Sequence, residues 1–520
     1  MALAYIPPGV NVEELTSPSV SPLLATSALV CLVGVAQGYQ VGTTQVVFPT
    51  GVAPQTITAP PGGAFVAVSG TQSFESVKNL TDPTAGSQTS QGGYKQGTGS
   101  YVAGAGPDFS ATIAANGATA TITPITGGPL ATNGGAVQIT YRFLPDMYYS
   151  ATRLDSQALV ERRFGPAYDA TGVVTPLSAA ASIAFQNGAA SVVIQPLFKL
   201  TDPANPLSPR VQPTTAEAAN AAQWQATFAG LRDVEDVNVL VPVFGQSDTG
   251  SSTTIVNNIL NAAQDHVHYM QTQGQYMVMI GGHDSAEDPA VGTANELRTQ
   301  SQVMRDRYGG AQAESTVIVS PSRFTRALPT VTNTIITVGG QFMAAAIAGM
   351  LASRPTSATL TRKQVAGFAT VADARDKGGK DADGNAGLMV IEQKGTAIQV
   401  RHAITLSNNT TAQRELSVVR SKHRMIESLR QTIDTQIIGS VPADGNAPFL
   451  VKNAVIGVLE ALRGTAELVD YQGVQARTLV GDPTTVEVRF SYLPAFPLNF
   501  VHIVFSVDLT GATTIDLNTV

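Results

Sequence analysis

Leu29-Val30-Cys31-Leu32-Val33 is an unbroken apolar run inside the stretch Ser27 to Ala36. A strand with one wet face alternates apolar and polar side chains, whereas a strand covered on both faces reads as a continuous aliphatic stretch. This run therefore predicts a central strand of a sheet layered on both sides. Strand-like runs recur downstream at Ser191–Gln195, Asn238–Phe244, Tyr276–Gly281 and Ser315–Ser320, with helical stretches near 215–232, 254–272, 292–308 and 335–353. Such alternation predicts an α/β layer with a parallel sheet. Helix 254–272 puts Val256, Ile259, Ala263, Val267 and Met270 on one stripe, and Thr214 stands three residues before Glu217, the spacing of a capping box.

The chain of 520 residues predicts several folding units rather than one. Only 13% of it is charged, against about 25% in an ordinary soluble chain, while 43% is apolar. A surface so poor in charge suits a subunit that hides much of itself in permanent contacts. The net charge of −7 gives no basic excess for a phosphate backbone, which disfavours nucleic-acid binding. Cys31 is the single cysteine, so no intrachain disulfide forms and a reducing compartment is expected. Met1 to Pro8 shows no secretory signal, and the apolar stretch Phe342 to Ala352 is too short to span a bilayer.

Around the α/β layer the character of the sequence changes. Residues 40–165 are rich in Thr, Gly, Ala and Ser, with turns at Gly62-Gly63, Gly92-Gly93, Gly127-Gly128 and Gly134-Gly135. Val137, Ile139 and Tyr141 alternate there with polar residues, which predicts an inserted β-rich domain. After a Gly/Asp-rich loop at 376–387, a hairpin is expected around Lys394-Gly395, followed by helices at 411–438 and 448–470. In the last segment Val486, Val488 and Phe490 alternate with polar residues, and Val501, Ile503 and Phe505 line the expected partner strand of a hairpin spanning 484–508. Both ends read as strands without a local partner: Val10 and Val12 with Glu13 at one, Thr513, Ile515 and Leu517 at the other. A lone strand pairs with something distant or with another molecule, the alternative being a frayed terminus.

Signs of chemistry are sparse. No phosphate loop or HExxH pair occurs, and one cysteine cannot build a thiolate zinc cluster. Gly281-Gly282-His283-Asp284-Ser285 follows a predicted strand, where hydrolase loops sit, yet adjacent residues on one loop cannot converge as a triad and no GxSxG elbow is present. Asp381, Asp383, Asn385 and Glu392 take positions 1, 3, 5 and 12 of a calcium loop, but Ala386 stands where glycine is required, leaving calcium or a solvated turn as readings. No catalytic residue, metal ligand or cofactor is expected. Helix 411–438 carries Arg414, Arg420, Lys422, His423, Arg424 and Arg430, either as a solvated face or as a positive surface for an acidic partner.

Tyr5-Ile6-Pro7-Pro8-Gly9-Val10-Asn11-Val12-Glu13-Glu14 resembles the opening of contractile phage tail sheath proteins, with an aromatic residue, PGV, an alternating valine and an acidic pair. The later order resembles them too: the α/β layer, the small-residue helix after Val338-Gly339-Gly340-Gln341-Phe342, the basic helix and the closing hairpin. The resemblance implies an α+β multidomain chain, with a non-catalytic subtilisin-like α/β layer, a C-terminal α+β domain, an inserted β-rich domain and extended arms. It divides the chain into an N-terminal arm at 1–22, a joining strand at 23–40, an inserted outer domain at 41–165, an α/β domain at 166–355, a C-terminal domain at 356–508 and an arm at 509–520.

It further implies stacked hexameric rings around a tail tube, contraction that drives the tube through an envelope, and arms that donate strands to a neighbour's C-terminal sheet. Val10, Val12, Glu13, Thr513, Ile515 and Leu517 would be donors, and the hairpin carrying Val486, Val488, Phe490, Val501, Ile503 and Phe505 the acceptor. Arg420, Lys422 and Arg424 would face the tube. The implied partners are further copies, the tube protein, and baseplate and terminator proteins, without direct nucleic acid or membrane insertion. The implied place is a virion tail assembled in the host cytoplasm. The competing readings are a hydrolase using loop 281–285 and a non-contractile surface or fibre protein.

Overall fold

The computed structural model describes residues 29–499, apart from 37–39, 62, 66–73, 80–108, 115–117, 128–130, 132–133, 145–147, 169–173, 201, 206–209, 235, 246–252, 285–293, 329–333 and 373–374. The main sheet and its helices follow in chain order as β1 (Val30–Gly34), β2 (Thr152–Leu154), α1 (Pro176–Gln186), β3 (Val192–Pro196), α2 (Ala221–Ala229), β4 (Val239–Val243), α3 (Thr253–Thr272), β5 (Val278–Gly282), α4 (Ala294–Asp306), β6 (Thr316–Ser320), α5 (Gly340–Ala352), α6 (Lys377–Asn385), β7 (Met389–Lys394) and β8 (Ala397–Val400). Then come α7 (Leu416–Gln436), α8 (Ala447–Gly464), β9 (Leu468–Leu479) and β10 (Asp482–Pro494).

The sheet runs β8-β7-β6-β5-β4-β1-β3-β2. Its six inner strands are parallel, and the short edge strands β2 and β8 run antiparallel. The opening apolar run lies at its centre, Val30 standing opposite Val192 on one side and Val239 on the other. Successive side chains leave a strand on opposite faces. Val30, Leu32, Ile194 and Val241 accordingly enter one core with α1 and α5, while Cys31, Val33, Leu240 and Met279 enter a second core with Trp224, Phe228 and α3. Each fully buried aliphatic side chain contributes about 1.5–3 kcal/mol, so the two cores hold the layer together. Cys31 packs there as an inert thiol, pushed up by desolvation.

Helix α5 is buried from Gly340 through Leu351, because it is wedged between the sheet and α1. The wedge requires glycine: a Cβ on Gly282 would lie 2.0 Å from the Gly340 carbonyl carbon, and one on Gly349 would lie 2.3 Å from the Ala184 oxygen. The capping box forms as expected, Thr214 N donating to Glu217 at 2.9 Å and Glu217 N to Thr214 Oγ1 at 3.3 Å. Every residue of the Val256–Met270 stripe is buried.

Two small antiparallel sheets arise between β1 and β2. Gly135–Leu144 pairs with Gln40–Phe48, Ala64–Phe65 and Phe74–Asn79, and Thr119–Pro124 pairs with Gln55–Thr58 and Phe109–Ile113. Phe48, Phe65, Phe109, Ile122, Ile139 and Tyr141 form their own core.

Several elements differ from the sequence expectation. Ile335–Gly339 is a strand paired with Arg323–Ala327, and only from Gly340 does the chain turn helical, in keeping with the β-branched run before it. The stretch 377–385 is helix α6 rather than a loop; Asp376 caps it by accepting from Gly379 N at 2.7 Å. Helix α8 ends at Gly464, and Ala466, at φ 58°, turns the chain into β9. The described partner of β10 is β9, which precedes it, and not 500–508, which lies outside the described residues. No helix among the described residues is long and apolar enough to cross a membrane.

Candidate assembly interface

Strands β9 and β10 form a ribbon of twelve and thirteen residues, roughly 40 Å long at the usual rise per residue. Tyr471 stands opposite Tyr492, and Ala476 opposite Val488. A register shift between Gln472 and Gln475, with Gly473 at φ 70°, advances the phase by one residue, so Tyr471 and Val474 both turn inward. Together with Val488, Phe490 and Tyr492 they are half-buried against Met425 of α7 and Val455, Val458, Leu459 and Leu462 of α8.

The outer face is polar. Glu487 holds Arg477 at 2.7 Å and Arg489 at 2.6 Å, and hydrogen bonds from Arg489 and then Arg477 keep its carboxyl below the usual range. Leu493 in the last pairs of the ribbon, and Phe496 and Leu498 beyond it, are exposed, Leu498 to 84%.

The ribbon is a two-stranded sheet, so each strand has one edge that pairs with no other strand among the described residues. Such an edge presents unpaired N–H and C=O groups to an incoming strand. A groove of about 300 Å³ runs across Asp470, Tyr471, Gln472, Ser491, Tyr492 and Leu493. Val486, Val488 and Phe490 lie on β10, half-buried toward the helices. Val10, Val12, Glu13, Val501, Ile503, Phe505, Thr513, Ile515 and Leu517 lie outside the described residues.

The basic helix is placed otherwise than its charge pattern suggested. On α7, Arg420 is 4% exposed and donates to the Leu351 carbonyl at 2.9 Å, at the C-terminal end of α5. Burial lowers its pKa to about 10. Lys422 is ion-paired with Glu314, and Arg424 with the buried Glu467, whose other oxygen accepts from Thr356. These three cations therefore fasten α7 to the α/β layer and to the foot of β9. His423 is pushed down to about 3 by burial, with Lys422 and Arg420 adding to the effect.

Two contacts of the helix α7 region left no sequence signal. Glu415 Oε1 takes His402 Nε2 at 2.7 Å and accepts from Asn499 at 2.9 Å, which ties the chain leaving β10 to the start of α7. Glu427 accepts from Tyr276 N and Asn238, and its burial pushes its pKa up.

The remaining motifs resolve as structure. Asp383 is fully buried; it takes Arg298 Nε at 2.6 Å and Ser320 Oγ at 2.7 Å, and pairs with Arg375. Asp381 pairs with Arg401 and Glu392 with Arg362, so the three carboxylates at the calcium-loop positions are each engaged by arginine. No group of His, Cys, Asp and Glu suited to a metal occurs among the described residues. His283 is buried with Nε2 2.9 Å from Asn257 Oδ1, and desolvation lowers it to about 4. Asp284 is buried beside it and pushed up to about 6, chiefly by desolvation, while Ser285 lies outside the described residues.

No protein-family model matches the chain. Over 376 residues, 72% of this chain, it is 26% identical to the tail sheath protein of Mycobacterium phage Bxz1, and the match spans 59% of that relative's length. The fold is similar to the contracted helical sheath of the anti-feeding prophage, with a TM-score of 0.54 at 11% identity over 97% of this chain and all of the other. It is likewise similar to the contracted sheath of the extracellular contractile injection system PVC, with a TM-score of 0.53 at 13% identity over 98% and 99% of the two chains. The resemblance to tail sheath proteins is borne out: the chain is similar in sequence to a tail sheath protein and has the fold of the contractile sheaths.

Proposed function

We propose that this chain is a structural subunit that polymerises as stacked hexameric rings around a tail tube and contracts to drive that tube through a target envelope. The observation that carries the reading is the ribbon β9–β10: apolar on the side packed to α7 and α8, polar along the middle of the other, and unpaired along both edges among the described residues. A sheet in this state is completed by a strand from another copy. Val10, Val12 and Glu13 from one end, and Thr513, Ile515 and Leu517 from the other, supply alternating strands for that purpose. Val486, Val488 and Phe490 form the receiving row, which Val501, Ile503 and Phe505 would extend.

On this reading the arms at 1–22 and 509–520 are connectors, 166–355 is a subtilisin-like layer without proteolytic machinery, 356–508 receives the strands, and 41–165 decorates the outside. The burial of His283 and Asp284 in separate contacts supports a structural rather than catalytic layer. Partners would be further copies, a tube protein, and baseplate and terminator proteins, in a virion tail assembled in the host cytoplasm. Electron microscopy of the purified protein is expected to show long striated tubes, and removal of residues 1–20 to leave folded subunits that do not polymerise. Polymers of unchanged length from the truncated chain would sink the strand-exchange reading.

A further inference from the structure

Helix α7 leaves a cavity of about 20 Å³ where it meets the entries of β4 and β5. A cavity of this size takes one guest about as large as a water molecule. Its polar walls are Arg420, His423 and Arg424 from α7 with Asn238 and Tyr276 from the layer, and two valines complete it. No carboxylate among the described residues lines it. Glu467 and Glu314 receive Arg424 and Lys422 away from the lining, and Glu427 is engaged by Asn238 and the Tyr276 amide.

The lining is therefore rich in donors and poor in acceptors. Guanidinium groups only donate. The Asn238 oxygen is already occupied by the Leu29 amide at 2.9 Å. His423 is 6% exposed, lines the cavity, and its Nε2 has no partner among the described residues. A neutral ring with its proton on Nε2 adds a further donor. Water must donate two hydrogens as well as accept, whereas a monatomic anion only accepts. Oppositely charged groups attract strongly where water is excluded.

We propose that this cavity is an anion site holding one halide ion, which braces α7 against the sheet. Bromide substitutes for chloride and scatters anomalously. Crystals of the full-length protein grown in sodium bromide are expected to show an anomalous peak in contact with Arg420, His423 and Arg424. In solution the apparent unfolding midpoint should lie about 2 °C higher in chloride or bromide than in gluconate at equal ionic strength. His423→Phe, which keeps a ring against Tyr276 but removes the donor, should abolish that difference. Density without anomalous signal in the unmodified protein, or a halide dependence that survives in His423→Phe, would overturn the site and leave a water in its place.

Discussion

The main sheet and the C-terminal ribbon are both β-structure, but they are finished to different degrees. In the layer, all five residues of β1, β3, β4, β5 and β6 are buried, and the sheet ends on each side in a short antiparallel strand, β2 and β8. In the ribbon one face is half-buried, the other is wet, and neither edge is paired among the described residues. The layer buries its apolar strands on both faces within one chain; the ribbon, longer and two-stranded, buries only one face of its own. A fold that leaves a long two-stranded edge beside a well-built core invites another copy to complete it.

The largest effect is expected where the layer relies on a buried charge. Asp383 receives Arg298, Arg375 and Ser320 at the meeting of α4, α6 and β6. Asp383→Asn leaves two guanidiniums without their carboxylate, which should cost about 3–5 kcal/mol. Hydrogen exchange would locate the loss: protection should fall across the layer while the ribbon's edge amides exchange as before. Equal loss in both regions would break the distinction drawn between them.

A smaller, pH-gated effect is expected at His283. Its folded pKa of about 4 lies below the ordinary 6.5, first because of desolvation. Above pH 6.5 the ring is neutral in both states and nothing is lost. Below it the unfolded chain takes up a proton that the folded chain refuses, so stability falls as the pH drops toward 4. At pH 5 the loss is on the order of 2 kcal/mol. His283→Gln keeps a donor for Asn257 and removes the titration, and should flatten the decline in denaturant midpoints between pH 7 and pH 5. An unchanged slope would place the acid sensitivity of the layer elsewhere.

The sheet was legible in the sequence because two-sided burial writes itself as unbroken apolar runs, and Val30–Val33 and Val192–Ile194 carry no competing signal. Strand β9 was not, because the shift at Gly473 puts its inward residues Tyr471, Val474 and Ala476 out of strict alternation. Asp383 mimicked a calcium ligand because spacing alone cannot show that Arg298, distant in sequence, arrives at its carboxylate. The charges of α7 suggested an open face because a charge pattern does not reveal packing on two sides. Leu416 and Val419 belong to the layer's core, whereas Met425 belongs to the ribbon's.

The smallest effect on folding is expected on the ribbon's outer face, and there the comparison becomes sharpest. Glu487 is solvated, and its pairs with Arg477 and Arg489 are screened by salt, so they contribute little to the subunit's own stability. Glu487→Ala should leave the unfolding midpoint of the isolated subunit where it was. Yet Glu487 lies on β10, between Val486 and Val488 of the proposed receiving row, and without it two guanidiniums would face any strand or neighbour that arrives. Polymer formation by the variant should then become more dependent on ionic strength, measured by sedimentation across a salt series. A residue silent in the monomer and audible in the polymer is what an unfinished sheet predicts; a change in monomer stability with unaltered assembly would assign Glu487 to the ribbon alone.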